Sequence, residues 1–107
     1  MAYTATNPYN GEVIQEFTDT TDKEIEDLLD KAESYYQKAK RVDFAKRADL
    51  LNRLAGEFEA HLEDYARLSS TNMGKLIGES RTEVNKIVNY ARYFANQGPA
   101  FLQPKNY

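Results

Sequence analysis

Apolar positions recur along the chain with two different periods, and the change falls near residue 20. Before it, Asn7-Pro8-Tyr9-Asn10-Gly11 is a run of turn-forming residues flanked by Ala2 to Thr6 and Glu12 to Phe17. Asn-Pro opens a turn and Asn-Gly supplies the positive φ a tight turn needs, which predicts two short strands around a loop. After it the spacing becomes helical. Thr21 and Glu24 have capping-box spacing, and Ile25, Leu28, Leu29, Ala32, Tyr36 and Ala39 form one stripe of a helix ending near Lys40. Asp43 is a second N-cap, ahead of Phe44, Ala48, Leu51, Leu54, Ala55, Phe58 and Leu62. The stripe then shifts to Tyr65, Ala66, Leu68 and Met73, which fits one long helix or, as the shift and Gly56 favour, two helices that meet near Ala60 and His61, with Gly74 as a left-handed stop. Ile77, Val84, Ile87, Val88, Ala91, Phe94 and Ala95 mark a last helix, which Gly98-Pro99 is expected to end. The predicted fold is mostly α with a short N-terminal β-hairpin or pair of strands. Strands and turn occupy residues 1–20, four amphipathic helices residues 21–98, and an irregular tail residues 99–107.

The 107 residues make about one small domain by length. Core-forming residues are sparser than the roughly 45–50% apolar share of an average globular domain. Eight tyrosines and five phenylalanines partly offset this, so the chain is expected to fold with apolar surface left over. Basic and acidic side chains nearly balance, 14 against 17 for a net charge of -3, which argues against nucleic acid and against a polybasic membrane anchor. No apolar run is long enough to span a bilayer and no signal peptide is evident, so a cytoplasmic location is expected. The absence of cysteine removes disulfides, thiolate metal sites and a thiol nucleophile, and the single histidine cannot build a histidine metal cluster.

Few residues point to chemistry by themselves. His61 is the acid–base candidate by residue type but sits among Glu57, Glu59, Glu63 and Asp64, as a solvated helix residue would. Glu24, Glu26, Asp27 and Asp30 gather carboxylates within two turns, the pattern of a wet helix face more than of an acid pair or cation site. Met73-Gly74-Lys75 leads into a helix N-terminus but has one glycine, not the spaced glycines of a phosphate loop. Tyr90, Tyr93 and Phe94 beside Arg92 have helical spacing and are expected to pack as core.

The order of the pieces carries more. Asn7-Pro8, Gly11-Glu12-Val13-Ile14, Arg47-Ala48-Asp49-Leu50-Leu51 with Leu54-Ala55, Met73-Gly74-Lys75, and Glu83-Val84 leading to Tyr93-Phe94-Ala95 resemble the N-terminal region of aldehyde dehydrogenases. The ending Gly98-Pro99-Ala100-Phe101-Leu102 looks most like the succinate-semialdehyde dehydrogenase branch. The resemblance implies an N-terminal fragment of an α/β subunit that oxidises an aldehyde to a carboxylic acid with NAD or NADP. This chain would form an incomplete part of the larger cofactor-binding domain. The family's cysteine nucleophile, glutamate base and oxyanion asparagine all lie later in the subunit, so no catalytic or cofactor-binding residue, and no cofactor for this chain alone, is expected here.

In several relatives an acidic residue before the Met-Gly-Lys turn joins backbone carbonyls preceding Asn-Pro in a monovalent-cation site. Carried over, the participants are Asn72, Ala5 and Thr6, with asparagine keeping an oxygen ligand but losing the charge; Asn72 as a helix cap is the plainer role. Leu76 stands where a proline often follows the turn. Lys86 and Tyr90 lie on the helix that runs near the family's aldehyde-entry channel and are candidate lining residues; surface lysine and core tyrosine are the plainer roles. The implied partners are the remainder of a dehydrogenase subunit, or a homo-oligomer formed through exposed apolar helix faces. The alternative is a free-standing helical interaction module without enzymatic activity.

Overall fold

The computed structural model describes residues 3–106; the expectations for Ala2 in the first strand and for Tyr107 in the tail lie outside the described residues. The chain divides into two compact units, one ending at Val42 and the other beginning at Asp43.

The first unit holds strands β1 (Tyr3–Thr6) and β2 (Val13–Phe17) and helix α1 (Asp22–Ala39). The strands pair antiparallel, with Tyr3 opposite Phe17 and their rings stacked at 5.0 Å. The register slips between Ala5, opposite Gln15, and Thr6, opposite Val13, so Ile14 is the extra residue of a bulge. The turn forms as its residues predict. Gly11 takes φ 76° and its N–H donates to the Asn7 carbonyl at 2.8 Å. Two side-chain turns reinforce it, Tyr9 N–H to Asn7 Oδ1 at 2.9 Å and Glu12 N–H to Asn10 Oδ1 at 3.0 Å. The capping box that opens α1 is complete: Thr21 N–H donates to Glu24 Oε2 at 2.8 Å and Glu24 N–H to Thr21 Oγ1 at 3.2 Å. No residue of α1 is buried, although its stripe is amphipathic.

The second unit holds α2 (Phe44–Ala60), α3 (Leu62–Met73) and α4 (Ile77–Phe101), with α4 packed on both of the others. Asp43 caps α2 through Lys46 N–H at 2.8 Å. The break at Ala60-His61 is present: His61 leaves helical geometry at φ -116°, ψ 26°, and Phe58 and Tyr65 clasp the corner with ring centroids 4.6 Å apart. Gly74, at φ 71°, stops α3 as a left-handed cap whose N–H donates to the Ser70 carbonyl at 2.9 Å. The core is a narrow spine on α4, Ser80, Val84, Val88, Ala91 and Ala95, meeting Ala55 of α2 and Ala66 of α3. Small side chains let the helix axes approach closely. The Ser70 and Ser80 hydroxyls hydrogen-bond at 2.8 Å, satisfying the one buried polar side chain among the described residues.

Two expectations are corrected. Gly98-Pro99 does not end the last helix, which runs through both residues to Phe101. Gly98 keeps a negative φ, so it is no left-handed stop, and proline's fixed φ suits the helix at the cost of one hydrogen bond. Leu102 N–H still bonds the Gly98 carbonyl at 3.0 Å. Tyr90, Tyr93 and Phe94 are not core: each is more than half exposed. With the spine defining the inward face at 100° per residue, Tyr90 and Tyr93 point away from it and Phe94 flanks it.

Candidate functional site

The outward face of α4 carries the two candidate lining residues, Lys86 and Tyr90. Lys86, Tyr90 and Tyr93 follow one another at spacings of four and three, so they form one stripe opposite the buried spine. Lys86 is exposed and Tyr90 is 63% exposed. Tyr93 meets Phe94 edge-on at 5.2 Å and Phe101 at 6.3 Å, which stiffens that end of the stripe. Tyr93 extends the exposed stripe of Lys86 and Tyr90, a placement that reading the aromatic set as core concealed.

Ion pairs fix α4 against the other helices. The Arg81 guanidinium grips Glu63 with two hydrogen bonds, 2.6 and 3.1 Å, and Arg92 binds Glu59. The Arg81 hydrogen bond holds the Glu63 carboxyl below the usual range against an opposing desolvation, and the same bond raises Arg81. In the first unit, the Thr21 backbone donor and then its hydroxyl lower Glu24.

Two open depressions flank α4. One, of about 460 Å³, is lined by Phe58, Tyr65, Leu68, Asn72, Glu83 and Ile87 among others. The second, of about 370 Å³, is nearly all apolar and includes Phe44, Leu51, Phe94, Pro99, Phe101 and Leu102. Neither converges charged groups on a point where a reacting atom would sit.

The other sequence candidates fall in place one by one. Asn72 is half-buried in the last turn of α3, and its Nδ2 donates to the Leu68 carbonyl at 2.8 Å, a helix-terminal role. Ala5 and Thr6 lie on β1 opposite the bulge that Ile14 makes in β2, where the ladder is irregular. His61 is exposed at the α2–α3 corner, with Glu57 3.7 Å and Asp64 3.5 Å from its two ring nitrogens. Of the α1 carboxylates, Glu24 is committed to the capping box and Asp27 to Lys23 at 2.8 Å. Among the described residues no group of three or more histidine and carboxylate side chains is placed to hold a metal ion. The Lys75 ammonium binds Glu83, so it is engaged within the chain. No helix among the described residues is long and apolar enough to cross a membrane.

The profile of the aldehyde dehydrogenase family matches residues 1–106. This chain belongs to the aldehyde dehydrogenase family. It is 31% identical over 103 residues to the succinate-semialdehyde dehydrogenase [NADP(+)] of Deinococcus radiodurans, covering 96% of this chain and 22% of that protein. A probable succinate-semialdehyde dehydrogenase [NADP(+)] of Synechocystis is 30% identical over 102 residues, covering 95% of this chain and 22% of that one. Among solved structures, a betaine aldehyde dehydrogenase of Staphylococcus aureus in complex with NAD+ superposes with a TM-score of 0.82 at 26% identity, over 92% of this chain and 21% of that chain. An NAD-dependent benzaldehyde dehydrogenase of Corynebacterium glutamicum shares the fold, with a TM-score of 0.85 at 20% identity over 100% of this chain and 24% of that chain. This aldehyde dehydrogenase chain thus spans about a fifth of the length of the curated relatives it matches.

Proposed function

We propose that this chain forms the N-terminal part of a cytoplasmic dehydrogenase subunit that oxidises succinate semialdehyde with NADP as hydride acceptor, and that its own contribution is architectural. The observation that carries the reading is α1: Ile25, Leu28, Leu29 and Tyr36 form an exposed apolar stripe on a helix with no buried residue. Burial of such a stripe is worth roughly 25 cal/mol per Å² of apolar surface, so it stabilises whatever body covers it. The names of the relatives support the substrate and cofactor.

The chemistry sets the division of labour. Oxidising an aldehyde through a thioester needs a thiolate to attack the carbonyl carbon and a base to activate water. With no cysteine the chain supplies no thiolate, and that step belongs to the rest of the subunit. Lys86 and Tyr90 fit the lining of the aldehyde approach: an exposed ammonium beside a phenol attracts an anionic substrate without touching the reacting bond.

The experiment is an in-frame chimera joining this chain to the remainder of the Deinococcus radiodurans enzyme. The chain alone should reduce no NADP with succinic semialdehyde, and the chimera should. In the chimera, Lys86→Ala should raise KM for succinic semialdehyde more than for a neutral aldehyde. Contaminant-free turnover by the chain alone, or a chimera that aggregates, overturns the reading. One observation favours the free-standing module instead: the second unit closes a core of its own around Ala55, Val88 and Ala91. A monomeric chain with one cooperative melting transition and no association with the remainder would support that.

A further inference from the structure

The N-terminal turn holds a chemically labile pair in a geometry that restrains it. Asn10 is the one asparagine in the sequence followed by glycine, and glycine puts no side chain in the way of attack by the following backbone nitrogen on the asparagine amide. A Cβ at Gly11 would meet nothing within 4 Å, and Asn10 itself is exposed. We propose that Asn10 is a self-modification site, a deamidation clock that the closed hairpin stops and the open hairpin runs.

The reaction needs only water. Gly11 N gives up its proton and bonds to Asn10 Cγ, the Cγ–Nδ2 bond breaks, and Nδ2 departs as ammonia with that proton. Water then opens the succinimide at one of its two carbonyls, leaving aspartate or isoaspartate at position 10; nothing is oxidised or reduced. Three hydrogen bonds oppose the first step. The nucleophile is committed to the Asn7 carbonyl at 2.8 Å. Both ends of the amide are held by Glu12, Oδ1 by its backbone N–H at 3.0 Å and Nδ2 by its carboxylate at 3.1 Å. Turning Gly11 N toward Cγ breaks all three, so attack waits for the turn to open.

The product cannot restore the turn. An acid at position 10 has no Nδ2 to donate and sets a second carboxylate where the Glu12 carboxylate accepted a hydrogen bond. Isoaspartate also adds a methylene to the main chain, displacing Gly11 N–H from Asn7 and shifting the register of β1 on β2. A two-stranded ribbon is marginally stable in water, so the clock records how long the hairpin has gone uncovered.

The test is peptide mapping by mass spectrometry of the full chain held at mildly alkaline pH, native and in urea, reading the gain from amide to acid at each asparagine. With each ordinary hydrogen bond worth about fivefold in rate, urea should accelerate modification of Asn10 by at least about tenfold. Native Glu12→Ala, which releases the carboxylate bond, should modify about fivefold faster than wild type, and at the urea rate if the substitution opens the hairpin. Equal rates in native and urea samples, faster modification at another asparagine, or an unchanged rate in Glu12→Ala would overturn the proposal.

Discussion

Removing methyl groups from the α4 spine should cost far more than removing a larger side chain from α1. Val88 is 3% exposed and packs on Ala55 and Ala91. Val88→Ala deletes two buried carbons, about 1.6 kcal/mol at ~0.8 kcal/mol each. Ala55 and Ala91 have no flexible side chain to swing into the gap and Phe58, packed against the cluster, is only partly buried, so a cavity contribution brings the total to about 2–3 kcal/mol. A unit of this size carries only about 3–10 kcal/mol of stability, and each kcal/mol moves the midpoint of such a domain by about 4–8 °C. Thermal and urea unfolding followed by far-UV circular dichroism should therefore show a midpoint about 8 °C lower or more. Leu29→Ala removes more carbon, but Leu29 is 63% exposed, so in the isolated chain it should stay within about 0.5 kcal/mol of wild type. In the chimera with the dehydrogenase remainder, Leu29→Ala should become destabilising as its stripe is covered. A Val88→Ala chain that melts with wild type, or a Leu29→Ala chain that loses as much, would refute the placement of the core.

The glycines should separate by backbone rather than by space. Gly56→Ala, in the interior of α2 with nothing within 4 Å of the added Cβ, should stabilise by about 0.5–1 kcal/mol. Gly74→Ala must hold φ 71° with a side chain and should destabilise by about 1–2 kcal/mol, both read from urea midpoints. Acid should loosen two contacts at once. Glu24 and Glu63 are held below their ordinary value of 4.5, so their contribution is full above that pH and is lost as pH falls through their lower native values. Carboxyl titration by NMR should show Glu63 alone returning toward 4.5 in Arg81→Gln; a Glu63 that titrates there in the wild type would contradict the bidentate pair.

What could be read from the sequence was what is decided locally. The Thr21 capping box, the Asp43 cap and the Gly74 stop each depend on residues within one turn, and each is present. The break at His61 was visible because the apolar stripe changes phase across it. The end of α4 was not visible, because proline's φ is compatible with a last helical turn and Gly98 takes a left-handed φ only where the chain must reverse. Nor was the fate of Tyr90, Tyr93 and Phe94. Periodicity marks amphipathic faces but not which face a partner selects, and here Val84, Val88, Ala91 and Ala95 win because small side chains allow close approach. The candidate site follows the same division. The spacing of Lys86 and Tyr90 places them on one face, while spacing alone says nothing of what that face meets.

The spine of valine, alanine and serine on α4 also sets how the chain responds to temperature. Unfolding heat capacity rises with the apolar area that becomes hydrated, and average domains show roughly 12–15 cal/mol/K per residue. A seam this thin hides little apolar area, so the heat-capacity increment should fall below that range and the stability curve should be shallow. Such a chain should have no sharp optimum, its stability changing little across ordinary temperatures.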